Sequence, residues 1–217
     1  MLRPIFVLAI MLLPAAFATA DDVVVEKPLL RFELLTRVKN DQEARKALVG
    51  WLREHGQAGN VDPAALGIEQ NAEYEKLEEA VRMADRENTT RLVAVVKQHG
   101  WPTITRVGVD GAHAAWLLVQ HADVDVKFQR QCLDQMAALP ASEVSQSNLA
   151  YLTDRVLLAE GKKQRYGTQF TFADGKWSPR PLEDEAQVDQ LRASVGLPSL
   201  AEYTKQMEAV YGSPAKK

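Results

Sequence analysis

Residues 111–122 read GAHAAWLLVQHA. Apart from two histidines and a glutamine they are small or apolar, with Trp116, Leu117, Leu118 and Val119 in succession. A segment that is apolar on every side and free of proline predicts a helix buried all round. Such a helix needs others to cover it, so the flanking segments decide the fold. From Pro28 to His55, Leu30, Leu34 and Val38 recur at four-residue spacing, and Ala44, Leu48, Trp51 and Leu52 continue the stripe. Gly56–Asn60 is a polar break, and Asp62-Pro63 has the form of an N-cap and first helical residue. A second long helix is predicted from about Glu69 to His99, with Asn88-Thr89-Thr90 as an interruption and Gly100-Trp101-Pro102 as its stop.

On the other side of the apolar segment, Asp123–Leu139 is amphipathic on Phe128, Cys132, Met136 and Leu139, and Pro140 ends it. Ser145–Glu160 forms the next helix, closed by Gly161. The period then changes to two: Tyr166, Thr168, Phe170 and Phe172 alternate with Gly167, Gln169 and Thr171. Asp174-Gly175 followed by Trp177 predicts a turn and a return strand. Two short helices, Glu183–Val195 and Ser199–Tyr211, complete the chain. The expected fold is mostly α: a single helical domain over 21–212 with one small β-hairpin, then a disordered tail at 213–217.

The first twenty residues predict where the protein works. Arg3 carries their only charge, an apolar run spans Ile5–Leu13, and Ala18-Thr19-Ala20 has the small-x-small form of a signal-peptidase site. The run is too short to span a bilayer. The expectation is a signal peptide over 1–20, cleavage before Asp21, and a periplasmic or secreted protein without a transmembrane segment. Asp21, where a lipoprotein would need Cys, argues against lipid anchoring.

The chain of 217 residues has a net charge of −3, and removing Arg3 with the signal makes it one unit more acidic. That balance lacks the basic footprint of a nucleic-acid binder. Cys132 is the only cysteine, so an internal disulfide is impossible; on its apolar stripe it reads as a packing residue. No second Cys or His-x-x-x-His pairing suggests zinc, and no nucleotide-binding or hydrolase fingerprint is present, so neither a metal nor a cofactor is expected.

Polar residues on apolar faces are the candidates for function. His121 follows Ala114, Leu117 and Leu118 at helical spacing, beside Gln120 and Asp123. Asp154 and Arg155 lie within the apolar helix 149–159, where each needs a partner its own helix does not supply. Those partners are either inter-helix salt bridges or a polar cleft. Gln164, Arg165, Tyr166, Gly167, Thr168 and Gln169 are polar where a strand should be half apolar. Gly167 suggests close approach by a ligand or another segment, the alternative being a solvated edge strand. Asp41 and Arg45 have the spacing of a surface helix pair, and Asp85 and Asn88 are open between capping and function.

In chain order, Asp41-Gln42-x-x-Arg45, Asp85-x-x-Asn88, Gly100-Trp101-Pro102, Gln120-His121-Ala122-Asp123, Asn148–Val156, Gln164-x-Tyr166-Gly167-Thr168-Gln169, Pro181-Leu182-Glu183-Asp184 and Gly196-Leu197-Pro198-Ser199-Leu200-x-x-Tyr203 form a series. The series resembles the bacterial family catalogued as domain of unknown function 6624, from about Arg31 to Tyr203. Gln57–Ala80 is longer than that family's usual spacing between the first two motifs. The resemblance implies no reaction, but it implies that these motifs form one recurrent set.

Three roles follow as expectations. The protein binds a small polar ligand or envelope component through Gln120, Asp123, Gln164, Tyr166, Gln169, Asn88, Asp41 and Arg45. Alternatively it is an extracytoplasmic hydrolase or transferase acting on an envelope sugar or peptide. His121 would then be general acid/base, oriented by Asp154 or Asp123, with Arg155 stabilising negative charge. The third role is structural, with the buried charges paired between helices.

Overall fold

The computed structural model describes residues 25–55, 61, 66–173 and 176–211. The expected signal peptide, the break at 56–60, Asp62-Pro63, the Asp174-Gly175 turn and the tail at 213–217 lie outside them. Seven helices and one hairpin follow in order: α1 Pro28–Glu54, α2 Ile68–His99, α3 Ile104–Gln120, α4 Val126–Ala137, α5 Gln146–Ala159, β1 Phe170–Ala173, β2 Lys176–Pro179, α6 Val188–Ser194 and α7 Leu200–Tyr211. The protein is mostly α, and β1 pairs antiparallel with β2 with Phe172 opposite Trp177. Among the described residues no helix is long and apolar enough to cross a membrane.

The apolar segment is the axis of the fold. α3 packs against α1, α2, α4 and α5, and from Gly111 to Gln120 every residue except His113 is buried. Gly108 interrupts α3 at φ 77°, a left-handed conformation that costs glycine little. Asp110 restarts the helix by accepting from the Gly111 N–H (2.8 Å), and it pairs with Arg31 of α1 (2.7 Å). Phe128, Cys132 and Met136 of α4 are buried in the same core, as their spacing predicts. A smaller cluster of Trp51, Val61 and Tyr74 joins the end of α1 to the start of α2.

Several boundaries differ from expectation. α2 runs unbroken through Asn88-Thr89-Thr90 because Thr90 bonds back to the Arg86 carbonyl (2.8 Å) and Asn88 and Thr89 are buried by tertiary packing. The strand begins only at Phe170; Tyr166–Gln169 is a loop, for a reason given below. α6 starts at Val188 rather than Glu183, since Asp184 accepts from the N–H groups of Ala186 and Gln187 and holds a turn there.

Candidate functional site

The C-terminal end of α3 carries the polar cluster. His121 is its C-cap, and the residues around it come from four other parts of the chain: Asp41, Gln42 and Arg45 from α1, Asp85 from α2, Asp123 from the α3–α4 turn and Arg155 from α5. The Asp41–Arg45 pair is not on the surface: Asp41 is 0% and Arg45 2% exposed, because that face of α1 packs on α2 and α3. Asp41 accepts from Gln42 Nε2 (2.8 Å), from Arg45 Nε (3.1 Å) and from His121 Nδ1 (3.0 Å). Arg45 Nη2 also bonds Asp85, while its buried Nη1 has no hydrogen-bond partner among the described residues.

These contacts fix the state of the imidazole. An ionised carboxylate only accepts, so Nδ1 carries the proton toward Asp41 and Nε2 keeps a lone pair. Burial, reinforced by Arg45, pushes His121 down to about 4, and the ring is neutral at pH 7. Burial pushes Asp85 the other way, up to about 7, helped by the Asp41 and Asp123 charges against the pull of Arg45. Burial also opposes ionisation of Asp41, but His121 and Arg45 win and hold it below the usual carboxylate range.

Arg155 closes the other flank. Its Nε donates to Asp123 Oδ1 (2.7 Å), its Nη2 to Asp123 Oδ2, and its Nη1 to Gln169 Oε1 (3.3 Å). Burial would raise Asp123, yet Arg155 keeps it below its ordinary range. The fully buried Gln129 of α4 ties this flank to α3: its amide donates to the carbonyls of Val119 and Gln120 and to Asp123 (3.1 Å). Gln120 points elsewhere, its amide oxygen facing the Trp116 indole N–H (3.3 Å) and the Leu152 N–H (3.1 Å), so it packs the helix interior. Asn88 accepts from Arg37 (3.3 Å) one turn from Asp85, at the edge of the cluster and not at a helix end.

Asp154 is not part of this cluster. Its carboxylate accepts from the N–H groups of Arg165 (2.7 Å), Tyr166 (3.0 Å) and Thr168 (2.9 Å) and from the Thr168 hydroxyl (2.9 Å). Those bonds wrap 165–168 around one buried side chain, and that is why the segment is a loop and not a strand. Gln164 is likewise a clamp: fully buried, it donates to the carbonyls of Gln169 and Arg180 and accepts from the Gln169 N–H. Tyr166 joins through its backbone, while its half-buried ring packs on the core. Gly167, at φ 64°, sits where a Cβ would meet Leu200 at 2.9 Å, so the close approach is by another segment. The expected single site thus divides into a loop clamp (Asp154, Gln164, Tyr166) and the His121 cluster, with Gln169 joining the two. Asp41, not Asp154 or Asp123, orients the imidazole.

Asp85, Gln42 and Gln129 were absent from the ligand-contacting set expected above. The i, i+4 spacing of Asp85 from Thr89, which lies on the buried face of α2, is a signal for the first of them. Ligand-type atoms of Asp41, Asp85 and His121 lie within 4.8 Å of one another. The Arg45 guanidinium, however, already bonds both carboxylates, and His121 already bonds Asp41.

The opposed shifts give a testable pH signature. Folded His121 holds fewer protons than the unfolded residue between about 4 and 6.5, so its contribution to stability rises with pH there. Folded Asp85 holds more between 3.8 and about 7, so its contribution falls as pH rises. The two nearly cancel in the native protein. Relative to it, Asp85→Asn should gain stability from pH 4 to 7 and His121→Asn should lose it from pH 4 to 6.5. Each slope is at most about 1.4 kcal/mol per pH unit. Urea unfolding at three pH values measures both, and slopes of the same sign would contradict the assignment.

No curated protein and no solved structure matches this chain. A family model matches residues 28–216, which hold every residue of the cluster and of the loop clamp, and the chain belongs to the family of unknown function DUF6624.

Proposed function

We propose that the protein is an exported, periplasmic or secreted, bacterial protein that binds a small polar ligand at the His121 cluster. One observation carries this reading. His121 is almost fully buried and held by Asp41, yet Nε2 has no hydrogen-bond partner among the described residues. An acceptor held in place by Asp41 and without a partner among the described residues suits a ligand donor. His121→Asn keeps an N–H for Asp41 and deletes the Nε2 position. A ligand from a panel of envelope sugars and short peptides should raise the wild-type unfolding midpoint by about 5 °C or more near saturation. The Asn variant should fold and lose that response. A panel with no effect on the wild type, or equal effects on both proteins, counts against the proposal.

Acid–base catalysis is the second reading, favoured by the pairing of a neutral imidazole with a carboxyl that keeps its proton near neutrality. Groups whose environments push their pKa values apart suit the roles of base and acid. His121 Nε2 would take a proton from a substrate hydroxyl or water, and Asp85 would give one to the leaving group. Activity would then plateau between pH about 4 and about 7 and fall on either side.

A further inference from the structure

We infer that the ligand of this site is held through a neutral amide carbonyl whose oxygen accepts from Arg45 Nη1, an inference that rests on the binding reading above. The ground is a buried donor without an acceptor. A guanidinium carries five N–H groups in one rigid plane. In Arg45 the edge formed by Nε and Nη2 faces Asp41, at 3.1 Å from each nitrogen, and Nη2 also bonds Asp85. Those contacts leave both N–H groups of Nη1, which has no hydrogen-bond partner among the described residues although the side chain is only 2% exposed. A buried charged donor left unpaired is costly, and the fork turns Nη1 away from the edge that Asp41 occupies.

The other buried guanidinium with an unpartnered nitrogen differs. Nη2 of Arg192 is also unpaired, but that guanidinium lies over the Tyr203 ring at 5.0 Å and donates to the carbonyls of Tyr166, Gly167 and Pro198. Arg192 thus serves the loop clamp. Arg45 opens instead on Asp85, whose side chain is 18% exposed and sits on the neighbouring nitrogen of the same fork. An incoming oxygen that passes Asp85 reaches Nη1 next.

Charge selects the kind of acceptor. One guanidinium already faces the carboxylates of Asp41 and Asp85, so a carboxylate or phosphate would bring a third negative group to a single cation. An ammonium or a metal ion brings no acceptor and meets Nη1 with like charge. An uncharged carbonyl accepts without either conflict. Burial and the charges of Asp41 and Asp123 push Asp85 up to about 7, against the pull of Arg45 and Arg155. Near neutrality its carboxyl therefore holds a proton to donate to the same oxygen, whose two lone pairs serve both donors. The N–H of an amide also suits His121 Nε2.

The test is titration of the purified protein, labelled with 15N-arginine and followed by nuclear magnetic resonance at pH 7. The probes are propanamide, sodium propanoate, propylammonium chloride and 1-propanol. Propanamide should bind about tenfold or more tightly than the other three, the factor that one hydrogen bond to a charged group carries. The Arg45 Nη1 signal should shift with it. Arg45→Lys keeps a cation beside Asp41 and Asp85 but has no Nη1, and there the affinity should fall about tenfold. In the wild type the affinity should rise as pH falls from 8 to 6 and Asp85 takes up its proton, and Asp85→Asn should abolish that rise. N-acetylglucosamine and N-acetylalanine methylamide carry the same group on a sugar and on a peptide; tighter binding of either than of propanamide supports the inference and names the source.

The inference is overturned if any of the other three probes binds as tightly as propanamide, or if the affinity falls as pH drops from 8 to 6. It is overturned equally by an unchanged affinity in folded Arg45→Lys, or by no binding of any amide up to about 100 mM, the weak end of what so small a fragment holds. An Nη1 signal that stays in place while propanamide binds also overturns it, and that readout needs no variant to fold. A ligand from the sugar and peptide panel that is lost in His121→Asn but indifferent to Arg45→Lys would leave the binding reading standing and remove only the carbonyl assignment.

Discussion

Asp154→Ala should lower the unfolding free energy by roughly 3–5 kcal/mol and the midpoint by about 10 °C. The carboxylate is fully buried and is the shared acceptor for three backbone N–H groups and one hydroxyl. Alanine leaves all four donors facing a small void, and each unsatisfied buried donor costs about 1–3 kcal/mol less whatever the loop recovers by relaxing. Relaxation is limited on the other side of the loop. Arg192, itself fully buried, donates to the carbonyls of Tyr166 (2.6 Å) and Gly167 (3.1 Å) and to Pro198 (2.6 Å), so α6 and the Pro198 turn hold the same residues. Asp154→Asn should cost nearly as much, because its amide NH2 would face donors. Neither variant touches the His121 cluster directly, so the protein that remains folded should keep its ligand response. A loss below about 1 kcal/mol in thermal or urea unfolding would show that the loop stands without its central acceptor.

Arg45→Met should be the most costly change within the cluster, roughly 3–5 kcal/mol at pH 8. It removes the cation shared by Asp41 and Asp85 and leaves two carboxylates on facing helices without it. Methionine fills much of the same volume, so the loss reports charge more than packing. The cost should shrink as pH falls toward about 7 and level off below it, because Arg45 lowers the Asp85 pKa and without it that carboxyl takes up its proton at higher pH than in the native protein. Adding Asp41→Asn should make the double variant less destabilised than the sum of the two single changes, since each removes the other's unpaired partner. A cost independent of pH, or strict additivity, would mean that Arg45 acts by packing alone.

Helices were legible in the sequence because periodicity and punctuation are local. The four-residue spacing of Leu30, Leu34 and Val38 lies within α1, Gly100-Trp101-Pro102 ends α2, Ser145 caps α5 by accepting from Asn148, and Gly161 closes it at φ 75°. The apolar run at 111–122 likewise marked the helix that every other early helix covers. Short-range rules failed where a partner distant in sequence took over. Tyr166 to Gln169 has strand alternation, but a carboxylate twelve residues earlier collects its N–H groups. Asn88-Thr89-Thr90 has the composition of a break, but tertiary packing buries Asn88 and Thr89.

Composition and periodicity establish a mostly helical protein of acidic balance, with a buried central helix, a lone cysteine in the core and a short list of polar residues set among apolar ones. Which of those polar residues belong together is set by the packing of the helices. Asp41 and His121 are 80 positions apart and Arg45 and Asp85 are 40 apart, and nothing in local spacing pairs them. Asp154 and Arg155 are adjacent, yet successive residues on a helix point about 100° apart. One therefore turns to the loop clamp and the other to Asp123. A buried charge announces in the sequence that it needs a partner; the packing of α1, α2, α3 and α5 chooses which one.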